Sequence, residues 1–219
     1  MVNTMAKVTG PILSMRAGGQ IGKSQVYAQW RGVPYARQYA VPSNPKTTAQ
    51  TSVRSSFAWL QDYFRSAPAV AQTPWFQSAK GKPVTDRNRL TQVNMPLIRQ
   101  VTNVTGFLGS PGVASGPALA SVSIAQSTDV AQVTVVPAAL PTGWSVAQAV
   151  AVMFPQQDSH QPFTGLIIAG VDATDPYQVD LTRDPTTETT WVISAWAEYS
   201  KPDGSFAASV AVTSEFTFI

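Results

Sequence analysis

The sequence predicts an α+β protein, a hairpin-plus-helices domain followed by an all-β sandwich, and three observations predict it. Hydrophobic periodicity changes from helical spacing before residue 105 to strand spacing after residue 121. Between them, residues 106–120 (GFLGSPGVASGPALA) gather four Gly and two Pro, the composition of a boundary. Formal charge reverses at the same place. Residues 1–105 carry thirteen Lys and Arg against two Asp, a net of +11, whereas residues 106–219 carry two bases against ten acids, a net of −8. The expected division is a basic anchoring domain over 1–105, a linker over 106–120 and an acidic sandwich over 121–219.

The bulk composition permits this. At 44% hydrophobic residues with six Trp, each half has the material for a core, which argues against wholesale disorder. The absence of Cys removes disulfides, thiolate metal sites and thiol nucleophiles. Residues 1–7 (MVNTMAK) lack the apolar stretch of a signal peptide, and no apolar run approaches the ~20 residues that span a bilayer, so a soluble chain with no membrane partner is expected.

Taken in order, residues 24–30 and 35–41 alternate as two short strands around Arg31-Gly32-Val33-Pro34, and Tyr35, Arg37 and Tyr39 fall on one face by the period of two. Ser43-Asn44-Pro45 then makes a turn before a helix on which Val53, Phe57, Leu60 and Phe64 recur at i, i+4, i+7 and i+11. The hairpin's aromatic face is expected to pack on that helix. Thr73-Pro74 is read as the start of a short second helix through Trp75 and Phe76. Thr85 or Asp86 opens a third, with Leu90, Val93, Leu97 and Val101 on one face and Pro96 kinking or shortening it. Beyond the linker, apolar runs at 118–124, 130–136, 144–154, 163–171, 177–181, 190–199 and 206–218 give seven strands, and Pro202-Asp203-Gly204 joins the last two as a hairpin.

Candidate chemistry is sparse. Gly18-Gly19-Gln20-Ile21-Gly22-Lys23-Ser24 ends like a phosphate-binding loop, but Ala17 stands where the motif needs Gly, and strand spacing follows where it needs a helix. The apolar run 166–171 before Asp172 has the form of a magnesium-holding strand and acid, yet it belongs to the sandwich. His160, the single His, reads as a solvated loop residue, because no Gly-x-Ser-x-Gly elbow accompanies it and one His without Cys cannot furnish a typical zinc site. Asp172, Asp175 and Asp180 offer oxygens suited to calcium but lack the spacing of a calcium loop. No catalytic, cofactor or metal set is therefore assigned, and a non-enzymatic role is expected. Trp144, Trp191 and Trp196 are candidate stacking rings for a carbohydrate-binding surface, with strand positions that favour the core. Lys23, Tyr27, Trp30, Arg31, Tyr35, Arg37 and Tyr39 interleave bases with aromatics, a pattern that serves either protein docking or nucleic acid.

Two resemblances refine this. Residues 177–181 (YQVDL), 190–196 (TWVISAW) and the Asp203-Gly204 hairpin resemble the last strands of a fibronectin type III or related immunoglobulin-like module, with Asp184 in place of the family's second Leu and Trp191 in place of its Tyr. The motifs Gly19-x-Ile21-Gly22, Trp30-Arg31-Gly32-x-Pro34-Tyr35-x-Arg37, Pro42-x-Asn44-Pro45-x-Thr47, Gln50, Arg54, Phe57 and Thr85-Asp86-Arg87-Asn88 resemble the N-terminal region of a family of small virion-associated proteins of tailed phages and prophages. That resemblance implies a structural virion component made in the host cytoplasm. Its partners would be other virion proteins and copies of itself, at the neck or tail or, alternatively, as a capsid decoration. On it, Arg16, Lys23, Arg31, Arg37 and Arg54, with Trp30 and Tyr35, form the protein interface. A DNA-binding accessory role for the basic half is the competing expectation.

Overall fold

The computed structural model describes residues 6–7, 18–41, 43–99, 104–158, 161, 163, 165–184 and 190–219. It divides the chain into two compact units, Met1–Lys46 and Thr47–Ile219. This differs from the expected division at 106–120, and the reason lies in how the helices are buried.

The first unit is a four-stranded antiparallel sheet, β1 (Ala6–Lys7), β2 (Gly19–Ile21), β3 (Gln25–Trp30) and β4 (Val33–Gln38), in the order β1-β4-β3-β2. The hairpin β3–β4 turns on two residues, Arg31 at φ 49° and Gly32 at φ 81°. Two successive positive φ angles make the turn whose twist matches that of paired strands, and Gly32 takes its position without Cβ strain.

The second unit has three layers. A helical layer of α1 (Thr48–Ser66), α2 (Ala69–Ala79) and α3 (Asp86–Ile98) lies on one face of a large sheet made of β5 (Pro111–Val113), β8 (Ser145–Pro155), β9 (Ile168–Asp172), β11 (Thr190–Ser200), β12 (Phe206–Val210) and β13 (Val212–Thr217). The opposite face meets a three-stranded sheet of β6 (Leu119–Ser127), β7 (Val130–Pro137) and β10 (Gln178–Thr182), ordered β10-β7-β6. The chain is thus α+β with a β-sandwich-like pair of sheets. All seven expected strand runs contain strands. The last is divided at Ala211 into β12 and β13, which follow one another along the same edge of β11. The short strand β5 is an addition, paired to β12.

The central strands β8 and β11 are covered on both faces. Val150, Val152 and Phe154 of β8 and Val192 and Trp196 of β11 join the helical core, while Ala149, Ala151, Met153, Trp191, Ile193, Ala195, Ala197 and Tyr199 join the core between the sheets. This double burial is why both strands read as near-continuous apolar runs. Under the helices, Trp59, Tyr63, Phe107, Phe154 and Phe163 form one aromatic cluster, with Trp59 and Tyr63 stacked at 5.6 Å and Tyr63 and Phe107 at 4.6 Å. Each such ring stabilises by about 1.5–3 kcal/mol through burial alone.

Helix starts follow capping chemistry. Thr47 Oγ1 accepts from the Gln50 N–H and Thr85 Oγ1 from the Asn88 N–H, so both caps sit one residue before their helices. The buried faces, however, are rotated from the expected ones. On α1 the buried stripe is Ser56, Trp59, Leu60, Tyr63 and Phe64, while Val53 and Phe57 are exposed. On α3 it is Leu90, Asn94 and Ile98, and Leu97 is exposed; Val101 lies outside the described residues. Helix α2 begins at Ala69 behind Pro68 and runs through Pro74, and α3 runs through Pro96.

The expected linker is bonded into the body. The side chain of Asn94 accepts from the Leu108 N–H at 2.7 Å and donates to the Leu108 carbonyl at 3.2 Å, taking the place of a paired strand. Gly109 N–H donates to Ser194 Oγ at 3.0 Å, and Tyr199 OH donates to the Pro117 carbonyl at 3.1 Å. A Cβ on Gly109 would stand 2.7 Å from Ser194 Oγ and from the Trp196 ring, and one on Gly116 would stand 2.2 Å from the Ala208 carbonyl. These glycines permit close backbone approach rather than flexibility.

Candidate docking face

The first unit has no core among its described residues. None of its described side chains is buried, and Ile21, Trp30, Val33 and Val41 are 62%, 65%, 46% and 75% exposed. Its residues 1–46 hold six bases and no acid. Strand pairing sets Val26 against Arg37, Ala28 against Tyr35 and Trp30 against Val33. Because directly paired residues share a face, these six make one surface that is apolar and aromatic with a cationic end. The Arg31 guanidinium lies 4.9 Å from the centre of the Trp30 ring, a cation–π contact at the hairpin tip.

The expected interface residues are partly united. Trp30, Tyr35 and Arg37 share the face, Arg31 stands at its tip, and Lys23 lies in the turn between β2 and β3. Tyr39 follows the end of β4, its N–H donating to the Ser24 carbonyl at 2.9 Å. Tyr27 is on the opposite face, paired with Ala36, and its OH donates to Gln25 Oε1 at 2.9 Å. Arg54 belongs to the other unit, exposed on α1. Arg16 lies outside the described residues. Of the two rings on α1 expected to meet the hairpin, Phe64 is buried in the core of the second unit and Phe57 is 49% exposed.

The remaining candidates resolve into structural roles. Residues 19–30 run strand, turn, strand, with Gly22 at φ 57°, so Lys23 and Ser24 sit in a hairpin turn and not before a helix. Asp172 closes its own turn, accepting from Thr174 Oγ1 at 2.6 Å, the Thr174 N–H at 3.0 Å and the Gln178 N–H at 2.8 Å. The Thr174 hydroxyl, with help from those backbone donors, holds the Asp172 carboxyl below the usual carboxylate range. Among the described residues no group of three or more His, Cys, Asp or Glu is placed to hold a metal ion, and His160 lies outside them. Trp191 and Trp196 are core residues; Trp144 is partly exposed, 5.2 Å beneath the Lys201 ammonium. Among the described residues no helix is long and apolar enough to cross a membrane.

What sequence reasoning missed is that the docking face and the helices are separate units. The acids give no signal of that boundary, because the first of them, Asp62, lies well inside the first helix. No family model matches the chain, and no curated protein matches it either.

Proposed function

We propose that this chain is a non-enzymatic structural component of a tailed-phage virion, docking onto neighbouring subunits through its basic N-terminal sheet. The observation that carries the docking role is a four-stranded sheet with no buried side chain among the described residues, in a unit whose sequence carries a net charge of +6 and no acid. A small sheet with no covered apolar face is not stabilised enough to offset the entropy of ordering it, so it needs a surface to lie on. The virion placement rests on the sequence resemblance, whose residues Trp30, Arg31, Gly32, Pro34, Tyr35 and Arg37 end β3, make the hairpin turn and lie on β4.

The second unit supports a role in spacing or decoration. Its first, second and fifth sandwich strands (β6, β7, β10) form one sheet and its third, fourth, sixth and seventh the other. That division of seven strands between two sheets supports the immunoglobulin-like reading, and fibronectin type III modules share the sandwich architecture. Unlike a free-standing module, the outer face of its larger sheet carries three helices. A ring at the neck or tail is the first placement and capsid decoration the second. The aromatic and cationic face also gives the DNA-binding reading a specific observation, since exposed rings among bases are what single strands stack on.

Reconstruction of particles from the source phage by cryo-electron microscopy tests the placement. Density for the unit Thr47–Ile219 at neck, tail or capsid lattice supports the reading and selects the location. Absence of the chain from purified particles overturns it. DNA affinity that falls steeply with salt would then favour the accessory role.

A further inference from the structure

The docking reading leaves the partner open, and the charge distribution narrows it. Lys23, Arg31, Arg37 and Lys46 of the first unit make no ion pair among the described residues. In the second unit, the side-chain donors to Asp180 and Glu215 among the described residues are the neutral Gln132 and Gln156, and those to Asp172 belong to its own turn. Asp172, Asp175 and Asp180 stand along the β9–β10 connection, in a stretch from 165 to 182 that contains no base. The same chain thus exposes an unneutralised cationic face in one unit and unneutralised carboxylates in another.

Resting on that docking reading, we propose that the N-terminal sheet takes a second copy of this chain as its partner. The face of Trp30, Tyr35 and Arg37, with Arg31 at its tip, lies against the acidic β9–β10 corner of the neighbour's sandwich. Two such sheets cannot face each other, because all their charges have one sign and like charges brought together across an interface cost affinity. A two-fold dimer through this face is therefore excluded. The contact joins unlike surfaces, so the assembly closes into a ring of two or more copies or continues as a filament.

Sedimentation of the full chain across concentration and salt tests this. The parent is expected to associate at low ionic strength and to dissociate as salt rises from about 0.05 M to about 1 M, where the screening length falls to about 3 Å. A ring gives one discrete species, and a filament gives continuous growth. Arg31→Glu with Arg37→Glu weakens association by about a hundredfold or more, since each lost attraction is replaced by repulsion. Asp175→Lys with Asp180→Lys does the same. An equimolar mixture of the two variants recovers assembly, because every contact in it again joins opposite charges.

A parent chain that stays monomeric at low salt overturns the proposal without any variant having to fold. A salt-insensitive two-fold dimer overturns it too, as does assembly of the Arg31→Glu, Arg37→Glu variant like the parent. Monomeric chain that is nonetheless present in purified particles removes self-association and leaves the virion reading standing. Self-association of a chain absent from particles does the opposite.

Discussion

The N-terminal sheet and the large sheet of the body are both antiparallel and both rich in Val, Ala, Tyr and Trp, yet among the described residues only one holds buried side chains. In the body, β8 and β11 are covered on both faces, by helices and by a second sheet. In the N-terminal unit, the described side chains of β3 and β4 are half-buried or exposed. Residue type does not distinguish them, since Trp196 is fully buried and Trp30 is 65% exposed. What distinguishes them is how much chain is available to cover a sheet. A body of 173 residues supplies two covering layers, whereas no described side chain in the unit of 46 is buried. On the docking reading, the smaller sheet completes its burial on a partner.

The sharpest way to break this comparison is to truncate a ring in each unit. Trp59 is fully buried and touches Tyr63, Phe107, Phe154 and Phe163 at ring separations of 5.4–5.9 Å. Trp59→Ala is expected to cost about 3–5 kcal/mol, read as a lower urea midpoint, because the cavity lies between two rigid layers. A loss below ~1 kcal/mol would mean that the helices are not part of the body's cooperative unit.

Gly116→Ala tests the segment 106–120 next. Its new Cβ would lie 2.2 Å from the Ala208 carbonyl, a backbone atom that cannot rotate aside. Overpacking of this kind costs about 1–3 kcal/mol. A true linker would tolerate the methyl within about 0.5 kcal/mol, which is the effect of a change on a free surface.

Glu198 gives a smaller, pH-dependent effect. It is buried, and desolvation pushes its carboxyl above the usual glutamate value, against hydrogen bonds from Gln148 Nε2 at 2.8 Å and Trp196 Nε1 that pull it back. A raised carboxyl pKa means that the folded state holds the proton more tightly than the unfolded one. This contribution to stability is therefore present below the unfolded value and falls as pH rises through the window up to the folded value. Glu198→Gln keeps an acceptor for Gln148 and removes the charge. It is expected to stabilise the body at pH 7 by up to about 1 kcal/mol, the scale of one buried polar contact, and to flatten the urea midpoint across mildly acidic pH. A midpoint that falls at pH 7 in this variant would show that the ionised carboxylate is the better partner for Gln148 and Trp196.

Much of this architecture is legible in the sequence. Strand runs, the Thr85 cap and the Asp203-Gly204 hairpin follow from local chemistry, and Gly204 indeed turns at φ 75° with its N–H donating to the Lys201 carbonyl; Thr73, read as a second cap, lies inside α2. What was not legible depends on partners distant in sequence. The period through Val53, Phe57, Leu60 and Phe64 is as good a stripe as the one through Ser56, Trp59 and Tyr63, and only the presence of Phe107, Phe154 and Phe163 decides between them. Asn94, polar in a core position, is explained only by the Leu108 backbone it clamps. Glycines at 109 and 116 look like flexibility until Ser194, Trp196 and Ala208 are placed against them. At the candidate docking face, the alternation that groups Tyr35 with Arg37 was readable, but the exposure of Trp30 and Val33 beside them was not.

The smallest expected change in stability is at the other pole of the comparison. Trp30 contacts the Arg31 guanidinium and is otherwise open, so Trp30→Ala in the free chain removes little burial and should move the urea midpoint by no more than about 0.5 kcal/mol. The same substitution should weaken docking strongly, because a Trp at the centre of an interface commonly costs about 2 kcal/mol or more when truncated. The pair of numbers is the test. Equal large losses in Trp59→Ala and Trp30→Ala would mean that the N-terminal sheet is already covered in the free chain. A large loss in one and almost none in the other is what a cored body and an uncovered face require.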